Sequence, residues 1–221
     1  MRNYTKDDIQ EPTKEIIEEY IKEFNGQEKT NEDNVAMVFK AFNNDVLEHV
    51  LAKVVVLNSI YSADLRNIVN DKIPSKEVSV KKMAYYIWDN RSFFNNSGNN
   101  EDAVRDWITT AIQDFKGWIP YSFLTKYCAW SFQKLDIPIY DSHAKAMLFH
   151  INELYKYHDS FTKTKIENGD YKFYCEVYDK FANKRGNGKN YKDIDKYLWM
   201  YAKKHDIKLY PQKEKNSEGK V

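Results

Sequence analysis

Apolar residues in this sequence recur at intervals of three and four and almost never alternate, and only seven glycines and five prolines interrupt its 221 residues. That spacing lays one apolar stripe along each successive helix and leaves little from which a sheet could be built. The chain reads as all-α. Helices are predicted at 13–24, 34–42, 45–69, 79–88, 101–115, 121–132, 142–155, 171–181 and 191–205. Side chains suited to N-caps precede several of them: Asn31, Ser75 or Ser79, Asn99 or Asn100, and Asp141 or Ser142. Segments 90–100, 158–170 and 183–190 are built of turn-forming residues and read as loops, and the polar stretch 212–221 reads as a disordered tail.

With 42% hydrophobic residues, the chain can bury one core or two small lobes that share an interface. A formal net charge of +1 excludes a globally basic nucleic-acid binder, but the charge is uneven. Residues 1–34 carry ten acids against five Lys/Arg, whereas residues 180–221 carry twelve Lys/Arg against five acids, which reads either as a basic face at that end or as a solvated helix and a frayed tail. Cys128 and Cys175 lie in apolar stretches and form neither a disulfide framework nor a metal motif, so both are expected as buried free thiols. His143 and His150 are the nearest approach to a metal pair, but three or four ligands do not assemble, and neither metal nor cofactor is expected. The opening MRNYTKDDIQEPTKE has no signal layout, and no apolar run approaches the ~20 residues of a membrane span. The expectation is a cytoplasmic monomer with no membrane association.

The stretch LTKYCAWSFQKLDIPIYDSHAKAML, Leu124 to Leu148, places one lysine on an apolar helix and one aspartate at the start of the next. Ile137-Pro138-Ile139 enforces extended backbone, so the connector folds back and turns Asp141 toward the helix that carries Lys126. An aspartate at a helix N-terminus accepts backbone N–H bonds and stays ionised when half buried. A lysine on an apolar face loses hydration, its pKa falls, and it becomes a usable nucleophile. Earlier in the chain, VVVLNSIYSADLRNIV ends its apolar run in Asn58, Ser59, Ser62 and Asp64 around Tyr61, so a helix stops there.

These residues resemble the helix–hairpin–helix DNA glycosylases, the superfamily of endonuclease III and the 8-oxoguanine DNA glycosylases. In the bifunctional members a lysine on the second hairpin helix is followed by an apolar, proline-containing connector, then by Asp, a small residue and His. Lys126, IPIY and Asp141-Ser142-His143 match that order, and Tyr61 falls at the corner whose central residue plugs the gap left by a flipped base. The hairpin turn departs from the family: DFKGWIPYSFLTK has only Gly117 where the family has Leu-x-Gly-x-Gly, leaving Lys116, Ser122 and the amides after Pro120 to hold a DNA phosphate.

The resemblance implies a two-lobed helical unit over 1–211, with 45–120 in the first lobe, 121–160 forming the second hairpin helix and the Asp helix, and 1–44 with 171–211 completing the other lobe. It also implies a DNA glycosylase with AP lyase activity whose partner is double-stranded DNA carrying a damaged or modified base. Lys126 would be the nucleophile and Asp141 would stabilise the developing cation. Tyr61 would be the wedge, and Asn58 would face the orphaned base. Aromatic residues Trp88, Phe93, Phe94, Tyr127 and Trp130 are candidates for stacking that base, although core is the commoner fate at helical spacing. The helix at 191–205 reads as a terminal helix docked on the core. Two rivals remain. A noncatalytic helical module that binds DNA or protein would let Lys126 point to bulk water, and an unrelated helical protein would not bring Tyr61, Lys126 and Asp141 to one concavity.

Overall fold

A computed structural model of the chain describes residues 4–61, 65, 68–69, 79–96, 100–117, 120–161, 163–186 and 188–209. Among these the helices run in the order α1 (Lys14–Ala41), α2 (Leu47–Tyr61), α3 (Ser79–Asp89), α4 (Arg91–Asn96), α5 (Glu101–Ala111), α6 (Tyr121–Ser131), α7 (Ser142–Tyr155), α8 (Lys163–Glu167), α9 (Tyr171–Arg185) and α10 (Tyr191–Lys204). The only sheet structure described is a two-residue antiparallel ladder, β1 (Ile68–Val69) with β2 (Lys116–Gly117). The fold is all-α. No described helix is long and apolar enough to cross a membrane.

The predicted helices 13–24 and 34–42 are one. α1 runs unbroken through Gly26, and Asn31 caps nothing; its Nδ2 donates to Glu28 Oε2 (2.8 Å) on the same helix. A glycine inside a helix costs about 1 kcal/mol relative to alanine. Burying Ile17, Tyr20, Phe24, Val35 and Phe39 along one face contributes about 1.5–3 kcal/mol each, so packing decides the outcome. α2 ends at Tyr61, where the polar corner after VVVL predicts a stop and short of the full 45–69 span. Asn58 Oδ1 accepts the Leu65 N–H (3.3 Å), a side-chain bond that competes with helical continuation, and Ile68–Val69 turn away into β1. Two segments read as loops contain the short helices α4 and α8, because Phe94 and Ile166 are drawn into the core. Loop 183–190 begins later than expected, since α9 continues to Arg185.

The cap readings hold where long helices begin. Asn100 Oδ1 accepts from Ala103 N–H (3.0 Å) and Asp141 Oδ1 from His143 N–H (2.8 Å). Ser79 is the first residue of α3, while Ser75, Asn99 and the tail 212–221 lie outside the described residues. The buried side chains form one continuous hydrophobic cluster, in which α10 packs between α1 and α7, α2 against α3, and α5 against α9. Cys128 and Cys175 are buried free thiols; burial pushes Cys175 up to about 12, so neither is a reactive nucleophile at neutral pH.

Candidate active site

The position of Asp141 is set by its connector. Thr125 Oγ1, on α6, accepts the Tyr140 N–H (3.1 Å), while the Tyr171 and Tyr174 hydroxyls of α9 donate to the carbonyls of Pro138 (2.8 Å) and Ile139 (2.9 Å). The extended backbone that proline favours thus has its polar groups met on both sides, as a buried connector requires. Asp141 emerges from it as the N-cap of α7 and points back at α6.

There Lys126 Nζ donates to Asp141 Oδ2 (2.9 Å) and to Ser122 Oγ (3.0 Å), and lies 5.1 Å from the centre of the Tyr61 ring. Lys126 is 6% exposed and Asp141 8%. Burial raises the Asp141 carboxyl, but the adjacent Lys126 ammonium, its hydrogen bond and the His143 N–H outweigh this and hold it below its ordinary value. All these groups line one cavity of about 500 Å³, together with residues of α1 and α10. Sites for small molecules have volumes of this order. Tyr61, Lys126 and Asp141, far apart in sequence, therefore share one concavity.

The sequence matches the family described as HI_0787_N, an N-terminal domain, over residues 16–135. The chain belongs to the HI_0787_N family. Tyr61, Ser122 and Lys126 fall within the HI_0787_N match, whereas Asp141, His143 and all of α10 lie beyond it, so the cavity is completed by sequence outside the matched domain. Comparison with curated proteins and with solved structures finds no match.

Other predicted residues divide. Ser122 and His143 line the cavity, His143 with its ring edge-on to Trp199 (6.0 Å). Lys116 and Gly117 form β2 and Asn58 holds the end of α2; none of the three is among the cavity-lining residues. Of the aromatic candidates only Trp130 lines the cavity, with Lys192 Nζ 3.7 Å from its ring centre. Tyr127 and Phe94 are core, Phe93 stacks on Trp107 (4.9 Å), and Trp88 Nε1 donates to the Asp45 carbonyl (3.0 Å). His150 is a turn and more from His143, bonded to the Lys208 carbonyl (3.1 Å).

Among the described residues, much of the basic charge near the C-terminus is paired. Lys196, Lys203 and Lys204 of α10 pair with Glu32 (2.8 Å), Glu28 (3.3 Å) and Glu23 (2.8 Å) of α1, so the acidic and basic ends of the chain neutralise each other. α10 is thus a wall of the cavity and not merely a docked terminal helix. It contributes Lys192, Trp199 and Asp195, none of which sequence reasoning singled out. The available signal was an aspartate on an otherwise apolar stripe, DIDKYLWMYA, which resembles any solvated acid until α10 is docked.

Proposed function

We propose that this protein is a DNA glycosylase with AP lyase activity on a helix–hairpin–helix glycosylase-like fold, acting on double-stranded DNA that carries a damaged or modified base. The observation that carries this reading is the buried Lys126–Asp141 pair inside a cavity it shares with the Tyr61 ring. A coincidental pairing of motifs in an unrelated helical protein would have scattered the three residues, and a Lys126 retained only as a remnant would point to bulk water.

Chemically, the target base leaves the stack and enters the cavity, at a cost of a few kcal/mol in unstacking. Lys126 releases a proton to water and attacks C1′ as the free amine, while Ser122 Oγ and Asp141 Oδ2 keep that amine oriented and Asp141 stays ionised. The Asp141 carboxylate faces the positive charge that develops on the sugar as the bond to the base breaks. Ring opening produces a Schiff base on Lys126, from which β-elimination cleaves the strand. The Tyr61 ring serves as the wedge that fills the stack.

One observation favours a second reading, a noncatalytic helical module for DNA or protein: Lys196 and Lys203, two of the three α10 lysines that line the cavity, are paired with α1 glutamates, which weakens the field available to phosphates. Borohydride trapping on a duplex with an abasic site separates the two. The glycosylase reading expects a covalent band that is lost in Lys126→Gln. Binding of the duplex without any band would leave the module.

A further inference from the structure

The two aspartates of the cavity are treated oppositely by the fold. Asp141 is engaged on both oxygens, by Lys126 Nζ and the His143 N–H. Asp195 lines the same cavity from α10, yet its Oδ1 is closed to solvent and has no hydrogen-bond partner among the described residues. A buried carboxyl oxygen that no donor meets disfavours the carboxylate and favours the protonated acid, while the part of Asp195 that lines the cavity keeps the acid at the site. Two carboxyls in one site, one engaged by a cation and one not, is the arrangement that separates a charge-stabilising carboxylate from a proton-donating acid.

We propose that Asp195 is the general acid of the excision step and hands its carboxyl proton to the base as the base leaves. The proposal rests on the glycosylase reading. The bond between C1′ and the base nitrogen breaks with its electron pair going to the base, and Lys126 forms the new bond at C1′. The base takes the proton of Asp195, which becomes a carboxylate, and departs neutral. The secondary ammonium on Lys126 then loses a proton to that carboxylate or to water; its lone pair forms the C1′=N bond as the C1′–O4′ bond breaks with its pair on O4′, and O4′ takes up a proton from the same acid or from water, leaving the protonated Schiff base. The electrostatics are consistent: burial raises the Asp195 carboxyl well above its ordinary value, and Asp141 of α7 and Glu32 of α1 raise it further against Lys126 of α6 and Lys196 of α10. Tyr61 of α2 and Tyr174 and Tyr178 of α9 feel the same field, and their hydroxyls are themselves raised by burial, so they stay neutral.

The test uses the full chain and Asp195→Asn, which keeps the side chain's shape but has no acidic proton. Both are offered an abasic-site duplex with borohydride, and a panel of duplexes carrying 8-oxoguanine, hypoxanthine, uracil, thymine glycol or 3-methyladenine. An abasic site has no base to protonate, so trapping by the variant is expected within about threefold of the parent. Excision of whichever panel base the parent removes is expected to fall by about 10²-fold or more, with loss of the limb in which parental excision declines as pH rises. Carboxyl ¹³C NMR, assigned by difference from the variant, is expected to find Asp195 protonated at pH 7. Trapping by both proteins with unimpaired excision by the variant overturns this proposal alone. Titration of Asp195 near pH 4, the ordinary carboxyl range, overturns it whether or not a panel base is excised. A parent that binds the abasic duplex without trapping overturns the glycosylase reading and this proposal with it.

Discussion

Lys53 and Lys126 are both lysines buried on apolar helices, in HVLAKVVVL and SFLTKYCAW, at 3% and 6% exposure. Their surroundings differ in one respect that matters. Lys53 Nζ meets only a neutral oxygen, Asn44 Oδ1 (2.9 Å), beside the Phe39 ring, and burial lowers its pKa to about 8. Lys126 meets a carboxylate at 2.9 Å and faces a cavity, whereas Lys53 is not among the cavity-lining residues. Desolvation alone therefore makes a deprotonatable amine in the core, and a candidate site also needs a charge partner and room for a substrate.

The largest expected effect breaks this comparison at its centre. Lys126→Gln should lose borohydride trapping by 10³-fold or more, while Lys53→Gln, measured on the same abasic duplex, should trap within about threefold of the parent. Equal loss in both would mean that burial and not the cavity defines the nucleophile.

Stability separates the two lysines next. Lys126→Met strands the buried Asp141 carboxylate and is expected to cost about 3–5 kcal/mol at pH 7 by denaturant unfolding. Because the Asp141 carboxyl is held below its ordinary value in the folded protein, its contribution is present above the unfolded carboxyl pKa and is lost as pH falls through the lower folded one. The penalty for Lys126→Met should shrink accordingly in acid.

Lys53→Met has the opposite expected sign. With a folded pKa of about 8 against 10.5 for an unfolded lysine, the parent is most stable above 10.5 and loses stability as pH falls toward 8, by up to about 3 kcal/mol. Removing the amine should stabilise the protein at pH 7 and matter little at pH 11. Asn44 Oδ1 retains the Tyr127 hydroxyl (2.8 Å) as a donor.

Asp195→Asn shares the expected sign of Lys53→Met at pH 7, through a carboxyl in place of an amine. A carboxyl raised in the folded state contributes most below the unfolded pKa near 4 and loses that contribution as pH rises through its folded value. The amide should therefore stabilise at pH 7 and have no effect at pH 3, as thermal unfolding at the two pH values would register.

Much of this molecule was legible in its sequence because the signals are local. Helical spacing, the caps at Asn100 and Asp141, and the proline that ends α6 before the connector all act within a few residues. The readings that failed had the same origin. Gly26 and Asn31 look like a break, yet α1 continues because burial along its length outweighs one glycine. Phe93 and Phe94 sat in a segment that reads as a loop, but the core claims Phe94.

What the sequence determined by itself, then, is the all-α class, the capped starts of α5 and α7 and the opposition of Lys126 to Asp141, since a short proline-bearing connector leaves few ways back to α6. What only the tertiary structure decided is which buried lysine faces a cavity, and that α10 closes that cavity with Asp195 while its lysines are neutralised by α1. Those outcomes depend on docking helices more than 150 residues apart in sequence, as in Lys204 against Glu23, and no local pattern encodes what a side chain will meet across such a distance.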